Sequence, residues 1–422
     1  MIRVDSSHDE ISVRASISYR GGRIGETALT FRSLTPALDA DEAHLIAGAY
    51  AIIAGQALLA PRISMGFPIS AAAARPIIAL AGMLYGAHAY VQRRSWRDPE
   101  IDFPVLRQRA QTSHTLNRRR AVLLWSGGKD ALAALKVLRQ NGFEVHGLHA
   151  NASFSCAEHE REAAVALADS FDLPLLDIEL DWDLIRALGK ENSNSFDRYP
   201  LDNAVPHGRD LVLLVAAAII ARRIEAAYVC AGYEFDLWNK TVTWQRREVV
   251  RHDIQSRLAC TQVDRLMRLA LGVGFFSPIA PLREFAILKN LLTTERACWR
   301  HMQSCFWGAW CGECTKCLRY ELAQQAIGIP AITFRKNPLC SPALALENLV
   351  SSIEDRSIPY WEQQVFCIFE LHARGFFGHR EKTCSRLGEL RPWYGGLRAS
   401  LRASLTSVTP DPMAPPRFHW DL

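Results

Sequence analysis

The stretch Ala121-Val122-Leu123-Leu124-Trp125-Ser126-Gly127-Gly128-Lys129-Asp130 decides the fold, because an apolar run of strand length stops at two glycines and residues 131–139 continue with helical periodicity. Strand, glycine turn and helix in direct succession form the opening of a βαβ unit. Two adjacent glycines let backbone amides converge into a concave nest. The helix that follows adds its unsatisfied N-terminal amides and the positive end of its dipole. Both favour an anion of pyrophosphate size. In this reading Ser126, Gly127, Gly128, Lys129 and Asp130 bind phosphate. Ser126 supplies a hydroxyl, Lys129 a mobile positive charge, and Asp130 a helix cap or a magnesium ligand. The plain alternative is an ordinary Gly-Gly turn with a capping aspartate.

Working outward, short apolar runs at 144–149, 175–180 and 226–230 alternate with helical stretches at 158–170 and 211–223. This alternation predicts an α/β fold with a doubly wound parallel sheet and ligands at the carboxyl ends of its strands. Upstream, Ile11, Val13, Ala15, Ile17 and Tyr19 alternate with polar residues before Gly21-Gly22, which predicts a β-hairpin reaching Phe31. Residues 41–59 and 71–91 read as packed helices, and the basic stretch 92–120 reads as a boundary. Helical spacing returns around Trp361, Val365, Phe369 and Leu371, before a proline-rich end from Pro410 that predicts an extended surface tail. The expected division is an N-terminal α+β unit at 1–119, a nucleotide domain at 120–335 that includes a cysteine-rich segment at 298–317, and a C-terminal helical unit at 336–422.

A chain of 422 residues exceeds the ~250–300 residues at which single cores stop growing, so several cooperating units are expected. The composition, 49% hydrophobic and 22% charged, is that of ordinary globular proteins and excludes disordered and fibrous classes. A net charge of +5 does not by itself call for nucleic acid. The first residues lack the charged and apolar regions of a secretory signal, and Arg75-Pro76 interrupts the longest apolar run. A cytoplasmic location with no membrane span is expected.

Four of the eleven cysteines, Cys305, Cys311, Cys314 and Cys317, follow the spacing C-x5-C-x2-C-x2-C. Four close thiolates suit tetrahedral zinc with no open position, hence a structural metal, with an iron–sulfur cluster as the alternative. Cys298 is a spare candidate. Cys156, Cys230, Cys260, Cys340, Cys367 and Cys384 are scattered and read as small hydrophobes.

The loop resembles the motif of ATP pyrophosphatases, the PP-loop superfamily, and differs from a Walker A loop. That resemblance implies an adenine nucleotide α hydrolase-like fold that uses ATP with Mg2+, cleavage between the α and β phosphates, and an adenylated intermediate. Combined with Ser304-Cys305 and Cys311-Gly312-Glu313-Cys314-Thr315-Lys316-Cys317, the loop is similar to 7-cyano-7-deazaguanine synthases, the QueC family, over roughly 121–329. Within this region His159-Glu160-Arg161-Glu162 resembles the family's His-x-x-Glu, and Pro206-His207-Gly208-Arg209-Asp210 its Pro-x-Arg-Asn. The resemblance implies Lys129, Asp130 and Arg209 as catalytic residues, His159 and Glu162 as substrate contacts, and zinc on the four cysteines; Glu234, in a segment that departs from the family, is a further candidate substrate contact. It also implies 7-carboxy-7-deazaguanine as substrate, carried to an amide and nitrile with ATP and ammonia.

Three departures matter. Ala131 stands where the family usually has serine, residues 232–240 replace the family's conserved segment after the fourth strand, and the two flanking units have no counterpart in the short synthases. Extended relatives, the QatC type among them, occur in anti-phage defence operons. This likeness implies an amine on a partner protein as acceptor. A tRNA-modifying PP-loop enzyme and an inactive ATP- and zinc-binding scaffold are the competing readings.

Overall fold

The computed structural model describes residues 1–32, 37–106, 115–152, 157–192, 207–250, 252–302, 304–305, 310–340, 349–350, 353, 360–378, 380–408, 411–415 and 418–420. Cys156 and Pro206 lie outside them.

The apolar run at 121–124 lies in a ten-stranded sheet, at the centre of its five parallel strands. Its strands in chain order are β1 (Ile2–His8), β2 (Ser12–Tyr19), β3 (Gly22–Phe31), β4 (Arg62–Met65), β5 (Glu100–Asp102), β6 (Asn117–Leu124), β7 (Glu144–Ala152), β8 (Leu175–Leu180), β9 (Ala226–Cys230) and β10 (Gly274–Phe276). Across the sheet they run β10-β9-β6-β7-β8-β3-β2-β1-β4-β5. The five strands from β10 to β8 are parallel, and β3 joins β8 antiparallel with Ile178 opposite Phe31. From β6 the chain proceeds one way to β7 and β8 and the other way to β9 and β10, so the topological switch lies between β6 and β9. A ligand crevice is expected outside the carboxyl ends of these two strands.

Helices cover both faces, as the doubly wound reading requires. Side chains alternate along β6: Val122 joins one core with α1 (Ala40–Leu58), α2 (Ala71–Val91), α6 (Asp210–Arg223) and α7 (Arg257–Leu271). Ala121 and Leu123 face the other core, built from α3 (Lys129–Gln140), α4 (Ala157–Ser170), α8 (Glu284–Thr294), α9 (Thr315–Ile327), α10 (Trp361–Ala373) and α11 (Glu381–Thr406). A further helix of the nucleotide region, α5 (Asp183–Asn192), follows β8.

Three features depart from the expectations. A fifth parallel strand, β10, adds to the four foreseen. The expected boundary at 119/120 falls inside β6, and the hairpin β2–β3 extends the same sheet rather than a separate one. Helix α1 is tied across this seam by buried Glu42, which pairs with Arg223 and, at 3.6 Å, with Arg222. The proline-rich tail is also not purely superficial: Phe418 is buried against Phe143 and Phe276, and the His419 amide donates to Asn141 Oδ1 at 2.8 Å. Aromatic packing outweighs the tail's polar composition there. Among the described residues no helix is long and apolar enough to cross a membrane.

Candidate functional site

The phosphate-type loop sits at the switch point. Trp125 ends β6 in full burial, its indole donating to Ala164 O at 2.8 Å, and its own carbonyl is 3.1 Å from His149 Nδ1. These contacts fix where the chain leaves the sheet. Ser126 is exposed, and Gly127 adopts a left-handed φ of +71°. A Cβ on Gly127 would stand 2.6 Å from Ala164 N, so no other residue fits this turn. Gly232, just past β9, is equally constrained, since its Cβ would lie 2.8 Å from Asp130 O. The two glycines allow the loop, α4 and the chain after β9 to close on one another.

Gly128 is the N-cap of α3, with no side-chain capping bond. The expected capping role of Asp130 is therefore corrected: it lies in the helix's first turn, a third exposed, and pairs with Lys129. The leading amides of α3 thus remain directed at the crevice end of the helix, apart from a long contact of 3.4 Å from Lys129 N to Ser304 Oγ.

Lys129 is also not the mobile charge foreseen. Its side chain is 1% exposed and its ammonium bridges Asp130 and, at 3.2 Å, Glu284 Oε1. Burial alone pulls its pKa down, but Asp130, Tyr320 and Glu284 raise it to a net value well above the ordinary one. Glu284, equally buried, accepts two hydrogen bonds from Arg319 at 2.6 and 3.0 Å and one from Gln363 at 3.0 Å. Burial would raise its pKa, yet Arg319 and Lys129 hold it down to about 2. The Arg319 guanidinium lies 3.8 Å over the Tyr360 ring. A buried ionic chain therefore runs from the loop through α8 and α9 to α10.

Glu234, foreseen as a substrate contact, is fully buried beside this chain. One carboxyl oxygen accepts from Asp236 N at 3.4 Å, while Oε1 has no hydrogen-bond partner. Burial, then Asp236, push its pKa well above the ordinary carboxylate value, with Lys129 opposing them. Arg209 is a quarter exposed at the start of α6, with Nε 4.0 Å from Asp210 Oδ1. Asp210 is held by the Tyr233 hydroxyl and Gln255 Nε2, each at 3.3 Å. His159 and Glu162 lie apart from the buried groups as an exposed pair 3.5 Å apart on α4.

The four cysteines converge as their spacing implied. All four sulfurs lie within 4.8 Å of one another, with separations from 3.5 to 3.9 Å among the closer pairs. A tetrahedron of thiolates about 2.3 Å from zinc has edges of about 3.8 Å, so the donor set fits that ion. Amides of Cys311, Glu313 and Cys317 donate to the sulfurs of Cys305, Cys311 and Cys314. Such bonds stabilise the thiolate charge. Cys298 stands outside this group, and among the described residues no other cluster of three or more metal-binding side chains occurs.

Sequence reasoning passed over Glu284, Arg319 and Gln363, and took Ser304 only as part of the Ser-Cys motif. Arg319 carried a signal, being a near neighbour of the cysteine cluster; Glu284 looks like any helix-start carboxylate until its burial is known.

A doubly wound sheet with a glycine loop at its switch point, beside four cysteines that could hold a metal, is the architecture of a nucleotide-binding α/β domain. Residues 120–328, just under half of the chain, match the family model described as queuosine biosynthesis protein QueC. A local stretch of 71 residues, 17% of this chain, is 35% identical to 7-cyano-7-deazaguanine synthase 2 of Sulfurisphaera tokodaii and spans 15% of that protein's length. The chain carries a QueC-like domain.

Proposed function

We propose that this protein uses ATP to adenylate the carboxylate of a 7-carboxy-7-deazaguanine-like substrate, releasing pyrophosphate, and then passes the acyl group to an amine. The observation that carries this reading is the loop itself: amides of an uncapped helix N-terminus and two constrained glycines at the switch point of a QueC-like domain. A carboxylate oxygen attacks the α phosphorus, the bond to the bridging oxygen breaks, and pyrophosphate departs with the charge that these amides stabilise. An amine then attacks the acyl carbon, expelling AMP and losing a proton. Asp130, partly exposed, would hold magnesium with the phosphates, and Arg209 would meet phosphate or the substrate carboxylate. His159 and Glu162, on the open face of α4, would reach substrate from outside.

The acceptor decides the product. Ammonia gives an amide and then a nitrile, whereas an amine on a partner protein gives a conjugate. We favour the conjugate and a role in anti-phage defence, on the altered segment at 232–240 and on the two flanking units, which we treat as added to the nucleotide domain. Substrate labelled with 18O in its carboxyl group tests the first step: the label appears in AMP if the acyl adenylate forms, and its absence from AMP refutes it. Intact-mass measurement of a co-expressed partner tests the second, with unchanged mass excluding conjugation.

A further inference from the structure

We infer that the cysteine metal site positions the phosphate loop, so that zinc controls the order of residues 126–132; this extends the nucleotide reading above but is tested independently of it. Two connections start at zinc-ligand cysteines and end on one residue, Lys129. The first is through the backbone. Ser304, adjacent to Cys305, accepts from the Lys129 amide at 3.4 Å, and among the described residues no other side chain caps the start of α3. The second is through the side chain. Cys314 is the N-cap of α9, its sulfur accepting from Cys317 N, and Arg319 lies in the second turn of that helix, two residues after Cys317. Arg319 clamps Glu284 with two bonds, and Glu284 holds the Lys129 ammonium.

The direction of the coupling follows from the donor chemistry. Thiolates packed within 4.8 Å repel one another unless a cation joins them, so their arrangement depends on the metal. Without it Cys314 no longer fixes the start of α9, and Cys305 no longer fixes Ser304. Arg319 then loses its register on Glu284, and Lys129 loses both its amide acceptor and the anchor of its charge. Ser304, Arg319 and Glu284 act here as positioning residues, none of them touching a reacting atom.

Hydrogen exchange of the full-length protein decides the matter. Exchange at 126–132 is compared in zinc-loaded protein, chelator-treated protein, Cys311→Ser, and Ser304→Ala, with zinc content measured in parallel. Removing zinc, by chelation or by Cys311→Ser, is expected to speed exchange at 126–132 by about tenfold while α2 stays protected. Ser304→Ala is expected to keep its zinc and still speed exchange at the same segment, by less. Unchanged exchange at 126–132 in zinc-free protein overturns the inference, as does a rise there only in step with α2, which would make zinc a global fold element. Affinity for α,β-methylene ATP, measured by calorimetry, should fall about tenfold in the same zinc-free samples. If zinc-loaded wild type does not bind that analogue at all, the proposed function fails while the exchange result still judges the coupling.

Discussion

The two halves of the ten-stranded sheet are built to different rules. In the mixed half formed by the N-terminal strands, where β1, β2 and β3 pair antiparallel and β4 and β5 add parallel, β1 and β2 alternate buried and exposed residues, as in Ile2, Arg3 and Val4 or Val13, Arg14 and Ala15, so one face is covered. In the parallel half, β6 carries consecutive buried residues from Ala121 to Leu123 because helices lie on both faces. Their glycines differ in the same way. Gly21, in the hairpin, has a φ of +87° and open space around it, whereas Gly127 and Gly232 abut other backbone segments. Left-handed backbone marks a turn in both halves, but only in the parallel half does it bring chain segments together around a crevice.

The largest expected effect comes from the buried ionic chain in the parallel half. Glu284→Gln leaves Lys129 and Arg319 facing each other without a carboxylate, and loss of one partner in a buried pair costs roughly 3–5 kcal/mol. Urea unfolding measures it; a loss under about 1 kcal/mol would mean that the chain is solvated and structurally idle.

Next, alanine at the two left-handed glycines separates the halves directly. Gly21→Ala should cost only the ~1–2 kcal/mol of left-handed strain and leave nucleotide binding intact. Gly127→Ala adds a clash with the α4 backbone and should abolish binding of α,β-methylene ATP. Equal effects of the two changes on binding would erase the distinction drawn between them.

A pH-dependent effect lies at the seam between the halves. Asp253 receives a hydrogen bond from Gln56 of α1 at 2.9 Å and is buried; burial, with Asp210 adding, raises its pKa to about 8 against Gln56's opposing bond. Because this folded value lies above the ordinary 3.8, its stabilisation is complete below about pH 4 and is lost as pH rises through about 8, with a slope of at most about 1.4 kcal/mol per pH unit. Asp253→Asn stays neutral and should flatten that loss, raising Tm at pH 9 relative to wild type but not at pH 4. Melting curves across this range check it. The smallest effect is His159→Ala, since an exposed pair contributes about 0–1 kcal/mol; Tm should not move, and any defect should appear in KM for the carboxylate substrate.

The parallel half was also the more legible. The run from Ala121 to Asp130, the alternation of apolar runs with helical stretches, and the cysteine spacing each follow from local periodicity or ligand chemistry. What escaped is non-local. β10 has three residues, too few for a pattern, and nothing in residues 22–31 announces that β3 will pair with β8. Lys129 read as a mobile charge and Glu284 went unnoticed because burial of a charge depends on partners such as Arg319 and Gln363, which are distant in sequence. The tail misled for the same reason, since Phe418 finds its aromatic neighbours only in the folded chain.

The most direct test of the central claim is the identity of the nucleotide products formed by zinc-loaded, full-length protein given ATP, magnesium, 7-carboxy-7-deazaguanine and an amine. The account predicts AMP and pyrophosphate in equal amounts, dependent on the carboxylate and lost in Asp130→Ala. Formation of ADP and phosphate, or no carboxylate-dependent pyrophosphate, would contradict it.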